Sequence, residues 1–167
     1  MRPILIFLVD DDPIFLKVLE TQFKERTNYE IQTFSTGEQC LKKLSEKPNI
    51  IFLDYNLNSS NPKAGNGIKI LDKIKSADHN IPVVMLSSQE NITIALNCMK
   101  HHAFDYIVKS PAAFIRAQKA ISILFNQRKL EKMLKFYRKT TVTMSVSIGG
   151  AIISAIVTDF FFPYMFK

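Results

Sequence analysis

The chain is poor in cysteine. It has two, Cys40 and Cys98, among 167 residues, and their spacing fits no metal motif. That argues against a disulfide framework and a cysteine-held zinc, and for reduced cytosolic thiols packed as small apolar residues. No secretory signal is read at the start, where Pro3 is followed at once by an apolar strand. Histidine is also sparse. His79 sits in a polar turn, and His101 and His102 read as solvated residues at a helix end. Acidic charge is missing from one segment in particular. Between Ala112 and Lys139 eight basic residues accompany one acid, Glu131, whereas the remainder carries fourteen of each sign. The net charge of +7 therefore belongs to that segment. Such a field suits nucleic acid or a membrane surface, and the apolar residues that follow favour the membrane.

What is present is a regular alternation of short apolar strands and amphipathic helices. Residues 4–9, 29–34, 50–53, 81–86 and 104–108 read as strands. Helical spacing fills the gaps: Phe15, Leu16, Val18, Leu19 and Phe23 in the first, Cys40, Leu41 and Leu44 in the second, Ile70, Leu71 and Ile74 in the third. A fourth helix spans 90–101, and a fifth starts near Ala112 behind Pro111. Pro13 suits the first turn of the first helix, and Ser35 or Thr36 can cap the second. Five βα repeats with buried apolar strands predict a doubly wound parallel sheet covered by helices on both faces. Right-handed crossovers bring the carboxyl ends of all strands to one edge. Asp10, Asp11, Asp12, Asp54, Ser87 and Lys109 would share that edge, where open α/β sheets carry their sites.

Carboxylates gathered there repel one another, at a cost on the order of 1–4 kcal/mol per pair about 4 Å apart. A divalent cation relieves that cost, and oxygen ligands together with a phosphate favour Mg2+. A carboxylate can itself take up a phosphoryl group. The cation and the Lys109 ammonium would then neutralise charge on the transferring oxygens. A second chemistry fits part of the pattern. Asp10-x-Asp12 after a strand is similar to the first motif of haloacid-dehalogenase-type phosphatases, although the later paired acids of that class are absent.

Taken together, Leu8-Val9-Asp10-Asp11-Asp12-Pro13, Asp54 with Tyr55-Asn56-Leu57, Val83-Val84-Met85-Leu86-Ser87-Ser88, and Ala103-Phe104-Asp105-Tyr106-Ile107-Val108-Lys109 resemble the response-regulator receiver domain. The resemblance covers about residues 3–126. It implies a (βα)5 flavodoxin-like fold with Asp54 as phosphoacceptor. It implies Mg2+ held by Asp11, Asp54 and the backbone carbonyl of Asn56, with Asp10 acting through water. It implies Lys109 and Ser87 on the phosphoryl oxygens, and Ser87 and Tyr106 as a switch pair. The phosphate would come from a histidine kinase or phosphotransfer protein. The domain would promote its own phosphorylation and dephosphorylation without being a conventional enzyme. The departures are Asn58 in place of the usual proline, a loop to Gly67 a few residues longer than usual, and Ser110 between Lys109 and Pro111, which removes the usual cis Lys-Pro bond and leaves Ser110–Pro111 as the one place for it.

The chain after the receiver has its own character. Residues 127–139 read as a basic helical linker, and Thr140 to Thr158 form nineteen residues without a charge. A transmembrane helix over 140–162 with a short tail at 163–167 is the expectation. Its basic flank would hold the receiver on the cytoplasmic face of the inner (plasma) membrane. A β-hairpin from Val142 to Val157 turning at Gly149-Gly150, or a packed apolar tail on a soluble cytoplasmic protein, are the alternatives. No helix-turn-helix, catalytic output domain or repeat follows. The output is expected to be contact with an unknown downstream protein, without nucleic acid, and a homodimer remains open. A phosphorylation-independent scaffold at the membrane is the competing function.

Overall fold

A computed structural model describes the backbone at residues 3–57 and 66–165, and side chains as far as Arg138 together with Thr140 and Thr141. The elements run β1 (Leu5–Val9), α1 (Pro13–Arg26), β2 (Glu30–Phe34), α2 (Gly37–Lys42), a 3₁₀ turn (Leu44–Glu46), β3 (Ile50–Asp54), α3 (Gly67–Ala77), β4 (Val83–Ser87), α4 (Ile92–Lys100), β5 (Asp105–Val108) and α5 (Ala113–Met165). The five strands form one parallel sheet in the order β2-β1-β3-β4-β5. That is the flavodoxin-like arrangement. Two compact units are distinguished, Met1–Ile121 and Ser122–Lys167.

The apolar strands are explained by their positions. β3 and β4 lie inside the sheet and are buried at every residue, while the edge strand β2 is buried only at Phe34. Parallel strands covered on both faces have no polar face to display. One face carries Phe7, Val9, Ile51, Leu53, Val83 and Met85 into a cluster with Ile70, Leu71 and Ile74 of α3. On the other face Phe23 of α1 is fully buried, 5.1 Å edge-on from Phe114 and 6.0 Å from Phe52. Cys40 and Cys98 are free and fully buried, and burial pushes their thiols up to about 12 and about 11.

The helix starts follow from local chemistry. Asp12 caps α1, its Oδ1 accepting from the N–H groups of Ile14 and Phe15 at 2.9 and 3.2 Å, and Pro13 occupies the first turn. Thr36, not Ser35, caps α2 through Gln39 N–H. Asn66 and Asn91 cap α3 and α4. The histidines gather where α3 and α4 end. His101 Nδ1 lies 2.7 Å from Asp72 Oδ1, and His102, in the left-handed region at φ 63, meets the ring of His79.

Three expectations change. The peptide bonds of the described residues are all trans, so Ser110–Pro111 is not cis. The backbone is helical through Gly149-Gly150 to Met165, which removes the hairpin reading: with no neighbouring strand to pair, the segment satisfies its own amides locally. The transmembrane helix over 140–162 is not found, since among the described residues no helix is long and apolar enough to cross a membrane. The side chains from Val142 onward, and the loop containing Asn58, lie outside the described residues.

Gly67 couples this fold to the site. A Cβ there would lie 2.3 Å from the Asp54 carbonyl oxygen and 2.8 Å from Tyr55 Cα and its carbonyl oxygen. These are backbone atoms that cannot swing aside. Gly67→Ala is expected to cost about 1–3 kcal/mol by forcing β3 and α3 apart. Chemical denaturation measures it, and an unchanged midpoint would show that the junction yields freely.

Candidate phosphoacceptor site

The site is assembled at the carboxyl ends of β1, β3, β4 and β5. Asp10 follows β1 and is fully buried. Its N–H donates to the Phe34 carbonyl at 3.0 Å, and its Oδ1 accepts from Asp12 N–H at 3.0 Å. Asp54 is the last residue of β3 and is only 2% exposed. The N–H of Asn56 donates to its carboxylate. Asp11 is half-buried, and ligand oxygens of Asp10, Asp11 and Asp54 lie within 4.8 Å of one another.

Lys109 is the cation of this group. Its N–H donates to the Ser87 carbonyl at 2.7 Å, which fixes the chain just past β5. Its Nζ lies 2.7 Å from Asp10 Oδ2 and 2.9 Å from Asp54 Oδ1. The same ammonium stands 4.9 Å from the centre of the Phe15 ring on α1, a cation–π contact. Periodicity places Phe15 on a helix face, and nothing in its spacing marks it as a neighbour of Lys109.

Charge at the site is unbalanced, with three carboxylates against one ammonium. Burial, then the Asp54 charge, raises Asp10 to about 6, with Lys109 pulling the other way. Burial also raises Asp54, opposed by Lys109. For Lys109, burial works downward and the two carboxylates outweigh it, so its pKa is raised. Lys109 therefore stays charged and cannot fully neutralise its surroundings. Moreover, Asp10 Oδ2 and Asp54 Oδ1 are buried and accept no aligned hydrogen bond, their contacts with Lys109 being ion pairs only. Two buried, under-satisfied hard oxygens beside a third carboxylate fit a small divalent cation such as Mg2+.

The expected switch pair sits beside this cluster. Ser87 ends β4, fully buried, and its Oγ accepts from Gln89 N–H at 3.1 Å. Tyr106 in β5 is half-buried and its hydroxyl donates to the Gln89 carbonyl. Both therefore contact the same main-chain segment, a link through Gln89 that no side-chain pattern announces. Asp12, expected at the same edge, caps α1 rather than joining the trio.

Comparison with known proteins agrees with this geometry. Residues 6–121 match the family described as response regulator receiver domain. The nitrogen assimilation regulatory protein NtrX of Azorhizobium caulinodans is 28% identical over 147 residues, 86% of this chain and 32% of that protein. The alkaline phosphatase synthesis transcriptional regulatory protein PhoP of Bacillus subtilis is 32% identical over 105 residues, 62% of this chain and 41% of that one. The chain thus spans less than half the length of either relative. Among solved structures, NtrX from Brucella abortus superposes with a TM-score of 0.67 at 26% identity, over 79% of this chain and 30% of that one. A receiver domain protein from Clostridium thermocellum gives 0.65 at 23% identity, over 75% and 97%.

The raised carboxyls make a pH prediction. Between about pH 4 and 6 the folded protein holds more protons at Asp10 than the unfolded chain, so stability falls as pH rises through that window. Above it the cost is fully present, at most about 3 kcal/mol. Without metal, Asp10→Asn should be more stable than the wild type at pH 7, and the difference should vanish near pH 4. Thermal melts at the two pH values check this, and a pH-independent difference would contradict it.

Proposed function

The chain belongs to the response regulator receiver domain family, and on that premise we propose that it is a phosphorylation switch whose acceptor is Asp54. The observation carrying this reading is the buried Asp54 carboxylate, 2.9 Å from Lys109 Nζ, within a trio of acids at the sheet edge. The donor is a phosphohistidine on a kinase or phosphotransfer protein. An Asp54 carboxylate oxygen attacks phosphorus, the phosphorus–nitrogen bond breaks, and the imidazole leaves with the bonding pair. The product is an acyl phosphate, later hydrolysed to restore the carboxylate.

Each residue has a part in that transfer. Lys109, kept charged by its two carboxylate partners, stabilises phosphoryl oxygens as charge develops. Asn56 N–H holds the nucleophile's orientation. Asp10, Asp11, Asp54 and the Asn56 carbonyl would hold Mg2+, which supplies neutralising charge to the phosphoryl oxygens. Ser87 would exchange its bond with Gln89 N–H for one to the phosphate, and Tyr106, bonded to the Gln89 carbonyl, would move with that segment. The output is a shifted equilibrium read by a partner protein. The domain promotes its own modification, and we assign it no other turnover. The 140–162 segment, uncharged from Thr140 to Thr158 and preceded by basic residues, supports a finer reading in which the switch is held at the cytoplasmic face of a membrane.

Incubation with acetyl phosphate and Mg2+ tests the switch. The wild type should become labelled, Asp54→Ala should not, and Lys109→Ala should be labelled at least about ten-fold more slowly, having lost an interaction worth over about 1.4 kcal/mol. Equal labelling of Asp54→Ala would sink the assignment. Carbonate extraction of cell membranes tests the tail: a chain that washes free is not anchored by it.

A further inference from the structure

Outside the acid cluster, an unpartnered surface lies in the second unit, on α5 between Ile123 and Arg138. Ile123, Leu130, Met133, Leu134 and Tyr137 are each between 40% and 68% exposed. At about 100° per residue these five fall within an arc of about 100° on the helix, interrupted by Asn126 alone. From residue 128 onward the rest of the circumference carries Arg128, Lys129, Lys132, Lys135 and Arg138, together with Glu131 and Phe136. Five cations to one acid is an extreme ratio for an ordinary solvated helix face.

The charge selects the occupant. Lys129 and Arg138 flank the apolar arc on its two sides. Two copies paired along the arc would bring together helices that each carry five cations and one acid from residue 128 to 138, and that net like charge opposes a coiled coil. A surface carrying negative charge and offering an apolar interior satisfies both halves of the helix at once. Anionic lipid does so: the arc enters the boundary between headgroups and acyl chains while the lysines and arginines reach the headgroups. We infer that residues 123–138 form an interfacial helix that binds the surface of anionic lipid bilayers.

This deepens the membrane reading of the chain, yet it differs physically from a span. It needs a helix lying in the interface, and its affinity depends on anionic lipid. The stretch lies within the second unit, Ser122–Lys167, and the acid cluster within the first.

The chain contains no tryptophan, so a single one reports its surroundings without background. Full-length Leu134→Trp and Lys132→Trp place the probe on the apolar arc and opposite it. With vesicles of equal phosphatidylcholine and phosphatidylglycerol, Leu134→Trp should show blue-shifted, brighter emission and Lys132→Trp should not. Adding K129Q, K132Q and K135Q to Leu134→Trp should abolish the shift, while labelling by acetyl phosphate remains intact as evidence of folding. Equal shifts at both positions, or none at either, would overturn the proposal. So would a shift at position 134 without vesicles, accompanied by a dimeric mass in light scattering, which would assign the arc to a second copy. Failure of the tail reading is distinguishable: the chain would wash from membranes in carbonate while the position-134 shift persisted.

Discussion

The Lys109 ammonium, set between the Asp10 and Asp54 carboxylates, is the contact that organises the site. Its Nζ is 2.7 and 2.9 Å from their oxygens, and both acids are essentially without solvent. Two buried carboxylates cannot both ionise cheaply at such close quarters. One ammonium offsets part of that cost and leaves a residual negative field. That remainder of unbalanced charge is useful. It keeps Lys109 protonated, adds to the burial that raises Asp10 to about 6, and leaves two buried oxygens able to accept a cation.

The fold supplies the distances. The strand order β2-β1-β3-β4-β5 places β1 beside β3. Asp10 and Asp54 therefore emerge from adjacent strands, and Lys109 arrives from the edge strand β5, tied to Ser87 at the end of β4. Gly67 allows α3 to begin against the Asp54 backbone. Phe15 lies beside the ammonium from the α1 side, so each neighbouring element contributes either a charge, a fixed backbone bond or an apolar wall.

The second unit has the opposite character. The sheet of the first unit buries its apolar side chains beneath helices, although Ile14, Ile92 and Ile115 stay exposed, whereas the 123–138 stretch leaves a stripe of them in the open among cations. Neither pattern is odd by itself. Placed in one chain, they separate a receiver domain built on buried charge from a helix that meets its surroundings with exposed charge and apolar area.

Much of this was legible in the residues themselves. Strand and helix positions follow from apolar periodicity because a buried face repeats every two or about 3.6 residues; the strands moved only at their ends, while the second helix stops at Lys42 and Leu44 falls in a 3₁₀ turn. The sharing of one edge by Asp10, Asp11, Asp54, Ser87 and Lys109 follows from parallel strands with right-handed crossovers. Other features depend on atoms distant in sequence and so left no local trace. The contact of Phe15 with Lys109 and the shared use of Gln89 by Ser87 and Tyr106 are of this kind. The stretch from Val142 to Val157 offered a hairpin as an alternative to a helix. The backbone there is helical, since a strand needs a partner for its amides and a helix carries its own. Residue types and their order establish which groups are able to do the chemistry. Which of those groups touch is a property of the packed fold, because the 2.7 Å ion pair of Lys109 with Asp10 is set by whole strands and helices rather than by any neighbouring residue.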